Sequence, residues 1–290
     1  MTPGLFAAAG GWTLDPLQLA SPLLLAAGYA YRAADLSKRG RAVPVARQVS
    51  FYTGVVILVL AVVSPVDTVG EERLFWVHMV QHLMLGDLAP LAIVIGLTGP
   101  MLRPLLAVAW VRRLRALAHP LVAFPLWAVN LYAWHLPALY EAALAHPAIH
   151  ALEHLLFFTT GALMWAAVLE PLPGPVWFGN GWKAVYVLAV RTAQAILANV
   201  FLWSGSAFYG RYAAGERTSG VKPLDDQAIA GGIMLVEGAI VTLAVFAWLF
   251  LRWTREAELR QRLVDRGHDP AVAARAARYG RSALARRPPP

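Results

Sequence analysis

The amino-acid sequence predicts an all-α membrane protein, a polytopic bundle of about seven transmembrane helices. Of the 290 residues, 58% are hydrophobic and only 14% are charged, whereas a soluble domain keeps roughly 25% charged residues at its wetted surface. The apolar residues form stretches close to the roughly 20 residues that a helix needs to cross the hydrocarbon layer. Seven stretches are predicted as spans, at about residues 16–34, 47–65, 74–97, 119–136, 148–170, 183–203 and 228–251.

The positions of Lys and Arg predict how the bundle lies in the membrane. Basic residues favour the cytoplasmic ends of membrane helices. Here they are concentrated in the loops after the first and third spans and in the C-terminal tail. An odd number of spans places the two termini on opposite faces. We therefore expect the N-terminus outside and the C-terminus cytoplasmic, with the first span serving as an uncleaved insertion signal.

Composition divides the chain into a seven-helix transmembrane domain, residues 1–252, and a basic cytoplasmic tail, residues 253–290. The tail mixes Arg with Ala and Leu and ends in three prolines. Each basic residue near a membrane surface contributes about 1 kcal/mol toward binding anionic lipids, so membrane lipids are its predicted partner. Nucleic acid is the weaker alternative for the net charge of +8, because no interleaved aromatic residues or nucleic-acid-binding motif accompany the tail.

Six of the eight histidines fall where the predicted topology places the outer membrane face. They belong to three predicted helices, so imidazoles would reach one depth from three directions. His78 and His82 lie in the first turns of the third span, and His135 lies at the outer end of the fourth. The other three precede or enter the fifth span and are His146, His150 and His154.

The spacing of these histidines predicts a metal site. His78 and His82 are four residues apart, as are His150 and His154, and this spacing puts each pair on one helix face. Imidazole nitrogens bind first-row metals at about 2 Å, so both members of a pair can reach one ion. Because the chain has no cysteine, imidazole with thioether favours copper, Cu(I) above all, while zinc stays possible. The further candidate ligands are Met79, Met84 and Glu153, and the last of these can instead orient an imidazole.

A simpler explanation exists for each of these residues taken alone. A single histidine near a membrane boundary is usually an interfacial polar residue, and a single methionine usually fills a gap in packing. Six histidines at one depth, with pairs at helical spacing, favour a metal site over six unrelated interfacial residues. His119 and His268 fall on the predicted cytoplasmic side, so we expect no ligand role for them.

Three charged residues lie in the middle of predicted spans. They are Asp87 in the third span, Arg191 in the sixth and Glu237 in the seventh. A buried ionisable group in a membrane is costly and therefore marks a functional candidate. Two interpretations stay open: an acid–arginine ion pair that closes the bundle, or a polar path that leads metal or protons inward from the histidines.

Three sequence motifs carry a resemblance to a known family. They are HMVQHLMLGDLAPLAIVIGLTGP, WHLPALYEAAL and HALEHLLFFTTGALMWAAVLEP. Together they resemble the membrane-integral CtaG family, assembly factors of caa-type cytochrome c oxidase, and the similarity is strongest from about His78 to Pro171. A single-span, cysteine-dependent copper protein shares the family name, and this cysteine-free chain does not resemble it.

The resemblance implies a multi-pass protein of the bacterial inner membrane that helps to assemble a haem–copper oxidase of the respiratory chain. Its proposed role in that family is copper delivery to an oxidase subunit. Carried over motif by motif, the functional positions would be His78, His82, His135, His150 and His154. His146 lies outside the most recognisable part of the pattern.

Three functions are therefore in competition. The leading hypothesis is a non-enzymatic copper-binding assembly factor, a metallochaperone that passes copper to the oxidase. The second is a membrane cytochrome with haem ligated by histidines of facing helices. The third is a copper transporter or a metal-dependent membrane enzyme. The sequence contains no nucleophile motif, phosphate loop or HExxH that would favour an enzyme.

Overall fold

The computed structural model describes residues 7–8, 11–13 and 16–280, and nearly all regular structure in that part is helical. Two short antiparallel strands, β1 (Ala7–Ala8) and β2 (Trp12–Thr13), precede the first helix. The last ten residues of the predicted tail lie outside the described residues. The α-helices are α1 (Pro16–Lys38), α2 (Val45–Val63), α3 (Pro65–Glu72), α4 (Phe75–Leu83), α5 (Ala89–Gly96), α6 (Gly99–Ala107), α7 (Ala109–Leu114), α8 (Pro120–Trp134), α9 (Pro137–Ala145), α10 (Pro147–Leu169), α11 (Asn180–Trp203), α12 (Ala213–Ser219), α13 (Pro223–Asp265) and α14 (Pro270–Tyr279).

A helix lies at each of the seven predicted spans, and five helical segments of the described part are long and apolar enough to cross a membrane. These are α2, the α4–α5 segment, α10, α11 and α13. A sixth is obtained if the chain from Ala109 to Trp134, which bends by 77° near His119, counts as one span. Apart from the short β1–β2 pair, the described part of the chain is therefore all-α, with five or six candidate membrane helices. The count of seven and the orientation of the termini stay predictions.

Helices α4 and α5 are joined by a π-helical turn, Met84–Leu88. Pro90 at the start of α5 has no N–H, so it cannot donate to the carbonyl of Gly86 as an α-helix requires. The backbone takes the wider turn instead, and such turns are frequent at functional sites. A π turn contains one residue more than an α-helical turn, which rotates the side chains after it around the helix axis. His82 and Asp87 therefore line the same cavity.

Two glycines let helix α10 touch this π turn. A Cβ atom built on Gly161 would lie 2.0 Å from the carbonyl oxygen of Gly86, a separation that no side chain tolerates. Only glycine at position 161 permits the observed approach. This contact fixes the distance between α4, which carries His78 and His82, and α10, which carries His150 and His154.

Replacing Gly161 by alanine is expected to destabilise the bundle by at least about 1–3 kcal/mol, because the added methyl group overpacks a backbone contact. The change is read as the melting temperature of the purified protein in detergent. Gly232→Ala in α13 is the matched control, since nothing lies within 4 Å of a Cβ atom at that position. Equal melting temperatures for the two variants would show that the contact is not tight.

The main hydrophobic core lies among α4, α8, α10, α11 and α13. Large side chains such as Phe75, Trp165 and Phe201 are almost completely buried there. A smaller cluster around Tyr29 and Phe51 joins α1 and α2 to α5. The histidine-bearing helices therefore belong to the best-packed part of the molecule, which holds their side chains in defined positions.

Helix α13 continues without a break through residues 252 and 253, the predicted boundary of the tail. After a turn the chain reverses, and α14 packs on the end of α13 through Leu263, Ala273 and Ala276. Part of the predicted tail is thus folded back on the bundle. The functional division at this boundary stays a prediction.

Glu170 closes helix α10 with a backbone conformation that is rare for a residue with a side chain, φ +50°. Its carboxylate lies 2.7 Å from the ammonium group of Lys183 and 2.7 Å from the guanidinium group of Arg278. Arg252 approaches the same carboxylate at 3.6 Å. This group of charges ties α10, α11, α13 and α14 together at the end of α10 that is far from the histidines.

Candidate metal centre

Five of the six predicted ligand histidines come together in the interior. His78 and His82 extend from α4, His135 ends α8, and His150 and His154 extend from α10. His78 is completely buried, and His82, His135 and His150 are also buried. A polar group buried so deeply needs a hydrogen-bond or metal partner, since its desolvation is otherwise uncompensated.

The imidazole rings form a continuous chain of contacts across the three helices. Within the helices, the ring centroids of His78 and His82 lie 4.3 Å apart, and those of His150 and His154 lie 4.0 Å apart. Between helices, the centroids are 5.7 Å apart for His78 and His150, 5.7 Å for His82 and His135, and 6.2 Å for His82 and His154. The group can therefore offer several nitrogen donors to one small volume.

The tightest donor group combines two helices and a carboxylate. One side-chain donor atom from each of His78, His150 and Glu153 lies within 4.8 Å of the other two. Metal–ligand bonds to imidazole and carboxylate are about 2.0–2.2 Å long, so donors on opposite sides of an ion are separated by up to about 4.4 Å. Small side-chain rotations would bring these three atoms to bonding distance of one ion.

The donor atoms of the centre are buried without conventional partners. Within the described part of the chain, both nitrogens of His78 and of His82, the Nε2 atoms of His150 and His154, and both oxygens of Glu153 make no hydrogen bond of normal geometry. His82 Nε2 and Glu153 Oε1 lie 3.5 Å apart. Each unsatisfied buried polar group costs about 1–3 kcal/mol. A bound cation would satisfy many of them at once.

Two of the histidines are oriented by a second partner, as metal ligands usually are. His150 Nδ1 lies 2.9 Å from the carboxylate of Glu71, and His135 Nδ1 lies 2.6 Å from the carbonyl oxygen of Leu131. In the neutral ring Nδ1–H donates to these acceptors, which leaves the Nε2 lone pair free to bind metal. Glu71 was not predicted from the sequence, because only the fold of α3 brings it to His150.

Helix α3 covers the centre from the side of the α2–α4 connection. Gly70 packs against the backbone of His78, and a Cβ atom there would lie 3.0 Å from the His78 Cα atom. Gln81 Nε2 donates to the carbonyl oxygen of Ala61 at 2.8 Å and to Asp67 at 2.5 Å, and so links α2, α3 and α4. Burial raises the pKa of Asp67 to about 7, so its carboxyl group is partly protonated near neutral pH.

The other sequence candidates lie in different places. His146 is exposed at the start of α10, outside the ring contacts. Met84 lies in the π turn and packs in a separate hydrophobic cluster around Leu58. Met79 is buried, with its sulfur 3.3 Å from His135 Nε2. Of these three side chains, only Met79 touches the centre.

Asp87 and Glu237 take part in a charge network beneath the histidines. Arg191 donates to Asp87, whose other oxygen accepts from Trp165 Nε1 at 2.7 Å. Glu237 Oε2 lies 3.7 Å from Arg191 and accepts a hydrogen bond from Gln194 at 3.0 Å. The arrangement is an acid–arginine pair that links α5, α10, α11 and α13 through the π turn. It matches the first of the two interpretations of these charges.

Comparison with known proteins shows what this chain is similar to. Uncharacterized proteins of Mycobacterium bovis and Mycobacterium tuberculosis are each 26% identical over 264 residues, which cover 84% of this chain and 40% of the relative. One from Mycobacterium leprae is 25% identical over the same coverage. The chain thus spans about 40% of the length of these curated relatives. No solved structure matches it.

A model of one protein family covers most of the chain. The description of that family is cytochrome c oxidase caa3 assembly factor (Caa3_CtaG), and its model matches residues 27–256. The matched region contains the three histidine-bearing helices and the charge network. The chain belongs to the caa3-type cytochrome c oxidase assembly factor family.

Proposed function

We propose that this protein is a non-enzymatic assembly factor that binds copper in the buried histidine centre and delivers it to a haem–copper oxidase subunit. The family indicates the assembly of caa3-type cytochrome c oxidase. The observation that supports metal handling is the group of buried donor atoms from α4 and α10 that lack partners. Buried imidazole nitrogens that lack hydrogen-bond partners are an arrangement that a metal ion stabilises.

The donor chemistry supports copper more than other metals. The centre offers imidazole nitrogens, the carboxylate of Glu153 and the thioether of Met79, and the chain has no thiolate. Imidazole and thioether suit Cu(I), imidazole and carboxylate also suit Zn²⁺, and Mg²⁺ or Ca²⁺ would require mainly oxygen ligands. Copper, taken up as Cu(I), is therefore the proposed cargo, with zinc as the alternative ion.

The distribution of charge supports a centre near the non-cytoplasmic face of a bacterial inner membrane. His150 lies at the start of α10, and Glu170, with its surrounding Lys and Arg residues, closes the other end. Twenty helical residues span about 30 Å, the thickness of the hydrocarbon layer. Because basic residues favour the cytoplasmic side, the histidines face outward in this proposal.

The size of the centre argues against haem. The rings of His150 and His154 are in contact, with centroids 4.0 Å apart, and the His82 and His154 centroids lie 6.2 Å apart. Imidazole rings packed against one another leave no space for a macrocycle between them, so the centre fits a small ion better than haem. A visible spectrum of the purified protein without a Soret band is the expected result.

The proposed delivery is tested in a strain that lacks this protein. Restoring the wild-type gene is expected to restore the copper content and activity of the oxidase, whereas His78→Ala/His82→Ala is expected to leave both near the level of the deletion strain. His146→Ala is the matched control, because this histidine is exposed and outside the centre. Full restoration by the double variant, at equal protein level in the membrane, would remove this role.

Loss of the orienting carboxylate is expected to weaken metal binding without removing a ligand. Glu71→Gln replaces the charged acceptor of His150 Nδ1, and changes of such orienting partners typically lower metal affinity about 10–100-fold. The dissociation constant is measured by competition with a chromophoric chelator. The neighbouring Glu72→Gln is the control, since Glu72 is exposed. Identical affinities of the two variants would contradict the orienting role of Glu71.

A further inference from the structure

The contact between Met79 and His135 is not a hydrogen bond, because neither of the two facing atoms carries a hydrogen. The Met79 sulfur lies 3.3 Å from His135 Nε2. His135 Nδ1 lies 2.6 Å from the carbonyl oxygen of Leu131 and therefore carries the ring proton of the neutral imidazole. The Nε2 atom then presents a lone pair, and a thioether sulfur has no proton to donate. Two electron-pair donors thus face each other in a buried place.

The separation of these two donors suits a metal ion. With bonds of about 2.0 Å to an imidazole nitrogen and about 2.3 Å to sulfur, a 3.3 Å separation corresponds to an angle of about 100° at the metal. That value is close to the tetrahedral angle. An ion would therefore bridge the sulfur and the nitrogen with little movement of either side chain.

The space beside this pair is also suitable. A cavity of about 40 Å³ is bordered by Met79, His82 and His135, and a second thioether, Met234, lies in its wall. The other wall residues are apolar except for Asp87 and Gln194. The Asp87 carboxylate is already paired with a guanidinium group, so the thioether and imidazole donors remain, and these favour a soft monovalent ion over a hydrated divalent one.

This pair differs from the donor group of His78, His150 and Glu153 in position and in chemistry. The earlier group contains a carboxylate and lies beneath α3, whereas the pair contains sulfur and lies beside the internal cavity. The His82 ring neighbours both, with its centroid 4.3 Å from that of His78 and 5.7 Å from that of His135. No member of the earlier group borders the cavity that the pair lines.

We infer that the protein has two metal positions, an outer one at His78, His150 and Glu153 and an inner one at Met79 and His135. The inner position is selective for Cu(I), and His82 serves as a ligand that either position can use. The outer position also accepts Zn²⁺. This inference rests on the proposed function, and it makes the centre a two-step path along which copper moves inward within the protein.

The inner position is tested by removing its sulfur. Met79→Leu conserves volume, and exchanges of this kind usually cost less than about 1.5 kcal/mol. Met164→Leu is the matched control, because Met164 is equally buried, at 1% exposure, and does not border the cavity. Full-length protein in detergent is titrated without oxygen against a Cu(I) chelator and, separately, with Zn²⁺. X-ray absorption then reports sulfur in the copper shell.

Wild type and Met164→Leu are expected to bind about two Cu(I) per chain with sulfur in the copper shell, and about one Zn²⁺. Met79→Leu is expected to bind about one Cu(I) without sulfur and to keep its Zn²⁺. Two Cu(I) with unchanged sulfur in Met79→Leu would overturn the inner position and leave the proposed function intact. So would a wild type that binds a single Cu(I). Wild-type protein that binds neither metal would end the proposed function itself.

Discussion

Replacement of both His78 and His150 by alanine is expected to lower the affinity of the purified protein for Cu(I) by at least about a hundredfold. Changing a residue that merely orients a ligand typically costs 10–100-fold in metal affinity, and this variant removes two ligands themselves. It also leaves the completely buried Glu153 without the two imidazoles of its donor group. The dissociation constant is obtained by competition with a Cu(I) chelator of known affinity.

The control for this loss uses histidines that the fold leaves exposed. His146→Ala and His268→Ala change residues that lie outside the centre, so both should bind Cu(I) as tightly as the wild type does. The comparison distinguishes copper binding at the centre from nonspecific copper binding by exposed histidines. Wild-type affinity in the His78→Ala/His150→Ala variant would contradict a site at these residues.

Replacement of Arg191 by methionine is expected to destabilise the protein by about 3–5 kcal/mol. The change leaves the buried Asp87 carboxylate and the nearby Glu237 without their cation, and loss of one partner of a buried ion pair has a cost of this size. Combining it with Asp87→Asn should recover part of the loss, because the uncompensated charge on Asp87 disappears. The free energy of unfolding in mixed micelles measures both effects.

An exposed ion pair serves as the reference for this second prediction. Glu258 and Arg262 are paired in α13 with more than 60% of each side chain exposed, and such pairs contribute at most about 1 kcal/mol. Glu258→Gln should therefore have little effect. A similar small effect of Arg191→Met would show that the Asp87–Arg191 pair does not close the bundle.

The helices could be predicted from the sequence because hydrophobic stretches of membrane length are a strong signal. Each predicted span corresponds to a helix, and the predicted family is confirmed by the match over residues 27–256. The number of spans was harder to predict. Helix α1 carries Arg32 and Asp35 within its length, and α8 has only 15 residues. Apolar length alone does not decide whether such helices cross a membrane.

Spacing within one helix predicted the two histidine pairs, but it could not predict hydrogen-bond partners of the histidines that come from other segments. Glu71 reaches His150 because α3 folds over the start of α10, and no local pattern around Glu71 announces this contact. Met84 shows a different limit. The π turn that begins at this residue shifts the faces of the helix, so counting in α-helical steps from His82 does not predict where Met84 points.

The charged residues show what sequence can and cannot separate. Asp87, Arg191 and Glu237 lie in the middle of predicted spans, and this position predicted either an ion pair or a polar path for metal or protons. The structure pairs Arg191 with Asp87 and places Glu237 next to it. Asp87 also borders the cavity that touches His82. Only coordinates could reveal that the ion pair and the histidine centre adjoin the same small space.

The account depends most on the claim that the buried imidazoles of α4, α8 and α10 bind copper. X-ray absorption at the copper edge, combined with elemental analysis of protein purified without added metal, tests this directly. We expect at least about one copper per chain, with two or more imidazole nitrogens at about 2 Å in its shell. Protein that retains no copper after loading, or copper whose shell lacks imidazole, would contradict the claim.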